Sequence, residues 1–138
     1  IGMRHVHHIN LVVPSLDAVV DQFAVVTGVA AGPEERLEAR GVVLRRFDLG
    51  GIWLVLVAPT RDDSPAAHWL ARHGAGLFLL SFATRNLDAA LADLEAQGIA
   101  SQGEPRNGLD DWRVADLAAD ALAGLPLQLT QAGGSTKA

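Results

Sequence analysis

The segment HHINLVVPSLDAVV at residues 7–20 sets the organisation of the chain. Its first part is rich in apolar and β-branched residues and ends at Pro14, which predicts a strand. Ser15 is the predicted N-cap of a helix, because apolar residues follow it at helical spacing until Gly28. A strand led by histidine and followed at once by a helix is therefore the first structural unit that we predict.

The same plan returns in GLFLLSFATRNLDAALADLEAQG at residues 76–98. A shift that places Leu16-Asp17-Ala18 on Leu87-Asp88-Ala89 also places His8 on Leu79. Each half then continues with three further strands, the first of which is weak in both copies. This internal repeat predicts two strand–helix–strand–strand–strand modules.

The pair Gly50–Gly51 separates two apolar stretches, GVVLRRFDLG and GIWLVLVAP, and predicts a two-residue hairpin turn. Leu49 then pairs with Ile52, and counting outward along both strands places Arg46 opposite Val55. Directly opposed residues share one face of a sheet, so Arg46 and Val55 should point the same way.

The length of 138 residues suits one domain with a real core, residues 1–138. We predict modules at about 4–60 and 75–131, joined by a linker helix at 65–74. The chain has no cysteine, a net charge of -5 and no basic cluster, which disfavours disulfides and nucleic-acid binding. No apolar run approaches the roughly 20 residues that a membrane span needs, so we expect a cytoplasmic protein.

Four stretches carry a resemblance to a known family: HHINLVV, VLVAPTRDDSPAAHWLARHGAGL, NLDAALADLEAQGI and LPLQLTQ. Together they resemble the vicinal oxygen chelate superfamily of glyoxalases, ring-cleaving dioxygenases and bleomycin-resistance proteins, and within it the methylmalonyl-CoA epimerases. The resemblance implies an α+β fold, in which tandem βαβββ modules form paired curved mixed sheets around a cleft. It also implies a homodimer.

The resemblance further implies four inward-facing metal ligands. These are two histidines, one glutamine or glutamate, and a glutamate on the last strand. The matching positions of this chain hold His8, Val55, Leu79 and Gln128. Valine and leucine offer no lone pair, and the amide offers only a neutral oxygen where divalent cations prefer imidazole or carboxylate. We therefore predict a degenerate site that binds no metal and no other cofactor.

A ligand would instead be bound by protein groups. Arg46, beside the vacated position at Val55, would repel a cation and attract an anionic oxygen. Trp53 would stack on a flat ligand. The residues with the inward parity, which we predict to contact a ligand together with Arg46, Trp53 and Val55, are His8, Asn10, Leu79, Ser81, Gln128 and Thr130. The alternative is that the polar members hydrogen-bond one another and that His8 has no chemical role.

Three functions fit this site. The first is a binding protein for an anionic or aromatic small molecule. The second is a metal-independent isomerase, cyclase or lyase with His8 as the acid–base group. The third is an enzyme like methylmalonyl-CoA epimerase or lactoylglutathione lyase, with Zn, Co, Ni or Mn. Its replacement ligands would have to come from His7, Asp48, Glu104 or Asp116.

Two expectations concern other parts of the chain. His5 and His7 alternate with His8 along the strand and should lie at an edge or on the helix side. The weak strand near residues 34–40 would expose an edge where another protein could pair, as in a non-catalytic subunit.

Overall fold

Each half of the chain has four strands, with a helix between the first strand and the second. The computed structural model describes residues 3–132. In order, the elements of the first half are β1 (Val6–Val12), α1 (Val20–Thr27), β2 (Glu35–Leu37), β3 (Val42–Asp48) and β4 (Trp53–Pro59). The linker helix is α2 (Pro65–His73). The second half contains β5 (Gly76–Ala83), α3 (Leu87–Ala96), β6 (Arg106–Asn107), β7 (Trp112–Asp116) and β8 (Leu127–Ala132).

The two halves share one strand order. In the first half the order is β2-β3-β4-β1, with β1 parallel to β4 and the other neighbours antiparallel. In the second half it is β6-β7-β8-β5, with β5 parallel to β8. The predicted α+β fold of tandem βαβββ modules is therefore confirmed.

The chain folds into two compact units, one of which is His8–Phe78. The other contains residues 3–7 together with residues 79–132. A backbone hydrogen bond from Ala83 to the carbonyl of His5, 2.9 Å long, joins these first residues to β5.

Each sheet packs one face against its helix. In the first module the buried residues Val13, Phe47 and Leu56 pack with two more buried residues. These are Leu16, which precedes α1, and Val20, its first residue. In the second module the core between sheet and α3 contains Leu87, Ala90, Ala115 and Leu129. Because side chains alternate along a strand, the residues between these core positions lie on the opposite, helix-free face of each sheet.

The helix boundaries were predicted with one error. Ser15 is not an N-cap, since α1 begins one turn later at Val20, and its N-terminus has no side-chain cap. Gly28 ends α1 in the left-handed conformation as predicted, with φ of 75°. Asn86 caps α3, accepting a hydrogen bond from the backbone of Ala89. None of the helices in residues 3–132 is long and apolar enough to span a membrane.

Candidate ligand-binding site

The hairpin at Gly50–Gly51 sets the register of the first module as predicted. The backbone N–H of Leu49 donates to the carbonyl of Ile52 over 2.9 Å, and Arg46 pairs with Val55. One parallel step further, Val55 pairs with Asn10 on β1. Arg46, Val55 and Asn10 therefore form one row across three strands on the helix-free face.

The next row on that face contains His8, Trp53 and Asp48, which are paired in register across β1, β4 and β3. His8 is 4% exposed, so its imidazole is shielded from bulk water. The guanidinium carbon of Arg46 lies 4.7 Å from the centre of the Trp53 ring, a cation–π contact. The two rows thus place a base, a cation and a flat apolar ring side by side.

Arg46 is held in place by Glu35 on the edge strand β2. Its Nε donates to Oε2 over 2.8 Å and its Nη2 donates to Oε1 over 3.3 Å. The side chains of Arg46 and Glu35 are 12% and 26% exposed, so the pair is mostly shielded from solvent. A two-point carboxylate contact of this kind fixes the plane of the guanidinium.

Asn10 presents a buried polar atom on the same face. Its side-chain oxygen is inaccessible to solvent and has no hydrogen-bond partner among residues 3–132. Leaving a buried acceptor unpaired costs roughly 1–3 kcal/mol, which a water or a ligand donor would recover. Asn10 is therefore the one residue of the first-module set whose polar group calls for a partner from outside the chain.

The polar residues of the second module form a network of their own. Ser81 and Thr130 hydroxyls are 2.6 Å apart, and Thr130 donates to the side-chain oxygen of Gln128 over 3.3 Å. The Gln128 amide donates to Asp116 over 2.9 Å, and Arg106 completes the chain with a 2.6 Å ion pair to Asp116. Ser81, Gln128 and Thr130 are all buried, as the predicted alternative of mutual hydrogen bonding requires.

The second-module network leaves a metal little to bind. The oxygen of Gln128 already accepts from Thr130, and its nitrogen, a donor, points at a carboxylate. Leu79, two residues before Ser81 on β5, and Val55 in the first module offer only carbon. Among residues 3–132, no three His, Cys, Asp or Glu side chains cluster closely enough to hold a metal ion. The residues of this chain at the ligand positions that the family resemblance implies therefore do not fit a divalent cation.

The four residues predicted as alternative metal ligands have contacts or positions of other kinds. Asp116 is engaged by Arg106 and Gln128, while Asp48 accepts a hydrogen bond from the backbone of Gly50 over 3.0 Å. Glu104 is exposed on a loop. His7 packs against Trp112 on β7, with ring centres 4.5 Å apart and planes at 90°. That His7 lies at an edge or on the helix side stays a prediction.

The burial of His7 predicts acid-sensitive stability. Burial, and secondarily the charge of His5, lower the pKa of His7 below its ordinary 6.5. The unfolded chain then binds a proton near pH 6.5 that the folded chain resists. This contribution to stability is fully present above pH 6.5 and is lost as the pH falls through that value towards the lowered pKa.

We expect the urea midpoint to fall between pH 7 and pH 5 by less in His7→Phe than in the unsubstituted protein. Phenylalanine keeps an aromatic contact with Trp112 but cannot take a proton. His68→Phe, on the exposed surface of α2, is the matched control and should leave the pH dependence unchanged. If the urea midpoint fell equally with pH in all three proteins, His7 would not be the source of the acid sensitivity.

The sequence predicted that five residues of the first module share a face, but it did not predict the contact of Arg46 with Glu35. His8, Asn10, Arg46, Trp53 and Val55 lie together on one helix-free face, as predicted. Leu79, Ser81, Gln128 and Thr130 belong to the second compact unit. Glu35, Arg106 and Asp116 were not predicted as members of either set. The only signal for Glu35 was its place on the weak strand, one row from Arg46.

The chain is similar to known proteins in both sequence and fold. The sequence profile of the Glyoxalase/Bleomycin resistance protein/Dioxygenase superfamily matches residues 7–115. The chain belongs to this superfamily. The match begins in β1 and reaches into β7, so it covers nearly all of the first module and the second module as far as β7.

Three relatives show how far the similarity extends. The uncharacterised protein YqjC of Bacillus subtilis is 26% identical over 133 residues, covering 96% of this chain and 95% of the relative. A methylmalonyl-CoA epimerase of Streptomyces coelicolor, solved with 2-nitronate-propionyl-CoA, is 29% identical with a TM-score of 0.86. That alignment covers 95% of this chain and 96% of the epimerase.

The third relative is the hypothetical protein BH1468 of Bacillus halodurans, which is 19% identical with a TM-score of 0.89. The alignment covers 94% of this chain and 95% of that protein, and it shows the shared glyoxalase-type fold alone.

Proposed function

We propose that this glyoxalase-superfamily protein binds a small aromatic or other flat acid without a metal ion. The observation that carries the proposal is the row of Arg46 and Asn10 beside Trp53 and His8 on one face of the first module. The proposed ligand would stack its flat part near Trp53 and direct its acidic oxygens to Arg46.

Asn10 and His8 supply the polar contacts that orient such a ligand. The buried oxygen of Asn10 can accept one hydrogen bond, so the ligand should carry an N–H or O–H group near its acid. His8 is buried in the neighbouring row and can hydrogen-bond a further polar atom of the ligand. Binding sites typically combine an apolar wall with a few polar groups in this way.

A metal-free site is proposed because the residues at the family's metal positions are the wrong donors. Val55 and Leu79 cannot coordinate an ion, and Gln128 is engaged by Thr130 and Asp116. The Arg46 guanidinium adds a positive charge where a cation would bind. Charge stabilisation of an anionic ligand would then come from the protein itself.

Binding of benzoate, with benzamide as the neutral control, tests the proposed function. We expect saturable binding of benzoate by calorimetry or ligand-observed NMR, tighter than that of benzamide and unchanged by EDTA. Benzoate is a minimal probe of a flat acid, so its affinity should be modest. Indole-3-acetate and indole-3-acetamide repeat the comparison with a larger ring. No saturable binding of either acid, or binding that EDTA abolishes, would reject the proposal.

A second candidate function is metal-independent isomerisation of an acyl thioester. It is favoured by the 29% identity to a methylmalonyl-CoA epimerase and by the shielded imidazole of His8. His8 would move a proton at the carbon next to the thioester carbonyl, and Arg46 would stabilise the enolate oxygen. The positive charge of Arg46 would take the part that a metal plays in polarising a carbonyl.

Deuterium exchange separates this candidate from binding alone. If His8 is the acid–base group, methylmalonyl-CoA in D2O should exchange its C2 hydrogen with the wild-type protein and not with His8→Gln. Addition of EDTA should leave the exchange unchanged. Exchange that EDTA abolishes, with about one equivalent of Zn, Co, Ni or Mn by elemental analysis, would instead indicate a metal enzyme with ligands at other positions.

We also propose that the chain forms a homodimer, as the family resemblance implies. Native mass spectrometry at micromolar protein concentration tests this. A single monomer mass would contradict it, and co-purification of a different chain would favour the alternative of a non-catalytic subunit.

A further inference from the structure

Glu35 occupies the edge of Arg46 that a ligand carboxylate would use. The contact has two N–H···O hydrogen bonds, from Nε and Nη2 to the two carboxylate oxygens, of 2.8 and 3.3 Å. This is the geometry in which arginine binds a free carboxylate. Within the chain, Glu35 is thus chemically equivalent to the acid group of the proposed ligand.

The position of Glu35 makes this contact replaceable. It lies on β2, a three-residue strand at the edge of the sheet, opposite Leu44 on β3. Leu44 and Arg46 share a face of β3, so Glu35 reaches Arg46 along the helix-free face. Its side chain is 26% exposed, whereas that of Arg46 is 12% exposed, so the carboxylate lies on the solvent side of the pair.

We propose that Glu35 is a built-in competitor for the anion-binding edge of Arg46, and that it determines which acids the site accepts. The inference rests on the proposed function. A tethered carboxylate has a high effective concentration, so a simple monocarboxylate gains little by replacing it. The site therefore favours acids that bring further contacts, through a ring beside Trp53 and a donor for Asn10, over small acids without them.

Removal of the charge at Glu35 tests the inference. We expect Glu35→Gln to bind benzoate about tenfold or more tightly than the wild type, with benzamide affinity unchanged. The matched control is Glu34→Gln, which removes the same charge one residue away. Glu34 pairs with Arg36 at 3.8 Å, with both side chains 56% exposed. The control should leave benzoate affinity within about twofold of the wild type.

A second measurement uses the wild-type protein alone. The 13C signal of the Glu35 side-chain carboxyl should shift as benzoate saturates the site, and the 15N signal of Arg46 Nε should follow the same isotherm. This readout does not depend on the folding of any variant. A Glu35 carboxyl signal that stays constant at saturation would overturn the inference.

The outcomes for the two proposals are distinct. Benzoate that binds wild type through Arg46, but no more tightly to Glu35→Gln, overturns the competitor role and leaves the proposed function standing. Two results would overturn the proposed function and the inference with it. In one, benzoate binds neither the wild type nor Glu35→Gln. In the other, adding Arg46→Gln to each of these proteins leaves its affinity for benzoate unchanged.

Discussion

The substitution Gln128→Glu should destabilise the protein by about 2–4 kcal/mol at pH 8. Gln128 is 2% exposed, and its amide nitrogen donates to Asp116 over 2.9 Å. A carboxylate in its place would replace this hydrogen bond to a charged group, which contributes roughly 1.5–3 kcal/mol, with a repulsion between two anions. Arg106, already paired with Asp116, can offset only part of that repulsion.

The same substitution should be much less costly near pH 5. Two ionised carboxylates in contact repel each other, so the pKa of the introduced acid is raised in the folded state. A group with a raised folded pKa favours folding at low pH, and that advantage is lost as the pH rises through its folded pKa. Once protonated, the acid can donate to Asp116 as the amide does.

Urea unfolding monitored by tryptophan fluorescence at pH 8 and pH 5 measures both effects. Gln131→Glu is the matched control, because the Gln131 side-chain oxygen accepts from the backbone of Leu87 at the N-terminus of α3. A carboxylate there keeps an acceptor near a helix N-terminus, so stability should be unchanged or slightly higher. A Gln128→Glu variant as stable as wild type at pH 8 would show that the amide does not bridge to Asp116.

This network gives a physical reason for the amide at position 128. The family resemblance implies a carboxylate there, and sequence reasoning could only describe its replacement as a lost metal ligand. In the structure, Asp116 lies opposite Gln128 on β7 and accepts a hydrogen bond from its amide nitrogen. An amide at position 128 therefore supplies a donor that an ionised carboxylate would lack.

The first-module site was predictable where local signals set the register. Two glycines determine the hairpin, and the hairpin places Arg46 beside Val55 without any knowledge of the remaining fold. The histidine-led strand follows from β-branched residues and a terminal proline, which placed His8 and Asn10 on one face.

Other parts of the site depend on pairings that no local pattern encodes. Glu35 belongs to a strand of three residues, whose pairing with β3 is determined by tertiary packing. Asp116 could not be assigned a face because the connection between β7 and β8 is an irregular loop with a 3-10 turn at Ala119–Leu122. The prediction that Ser15 is an N-cap was wrong although its residue type suits a cap. The chain continues for a further turn before α1 begins.

The substitution Arg46→Gln should remove the preference of the site for acids. A charge-assisted hydrogen bond to a ligand carboxylate contributes roughly 1.5–3 kcal/mol, which corresponds to a loss of about tenfold to a hundredfold in affinity. Glutamine preserves part of the packing beside Trp53 but carries no charge. Benzoate and benzamide should then bind with similar affinity, and a preference for benzoate that persisted would place the anion elsewhere.

Arg46→Gln should also lower the free energy of unfolding, by about 1–3 kcal/mol, because it leaves the partly buried Glu35 without its cation. The double variant with Glu35→Gln should recover part of this loss, since it removes the unpaired charge. Arg36→Gln, which breaks an exposed pair with Glu34, should cost less than about 0.5 kcal/mol. If Glu35→Gln alone were as stable as the wild type, and the double variant as stable as Arg46→Gln, the energy of the pair would be negligible. Arg46 would then be held by its stacking on Trp53, and Glu35 could not be an effective competitor for a ligand.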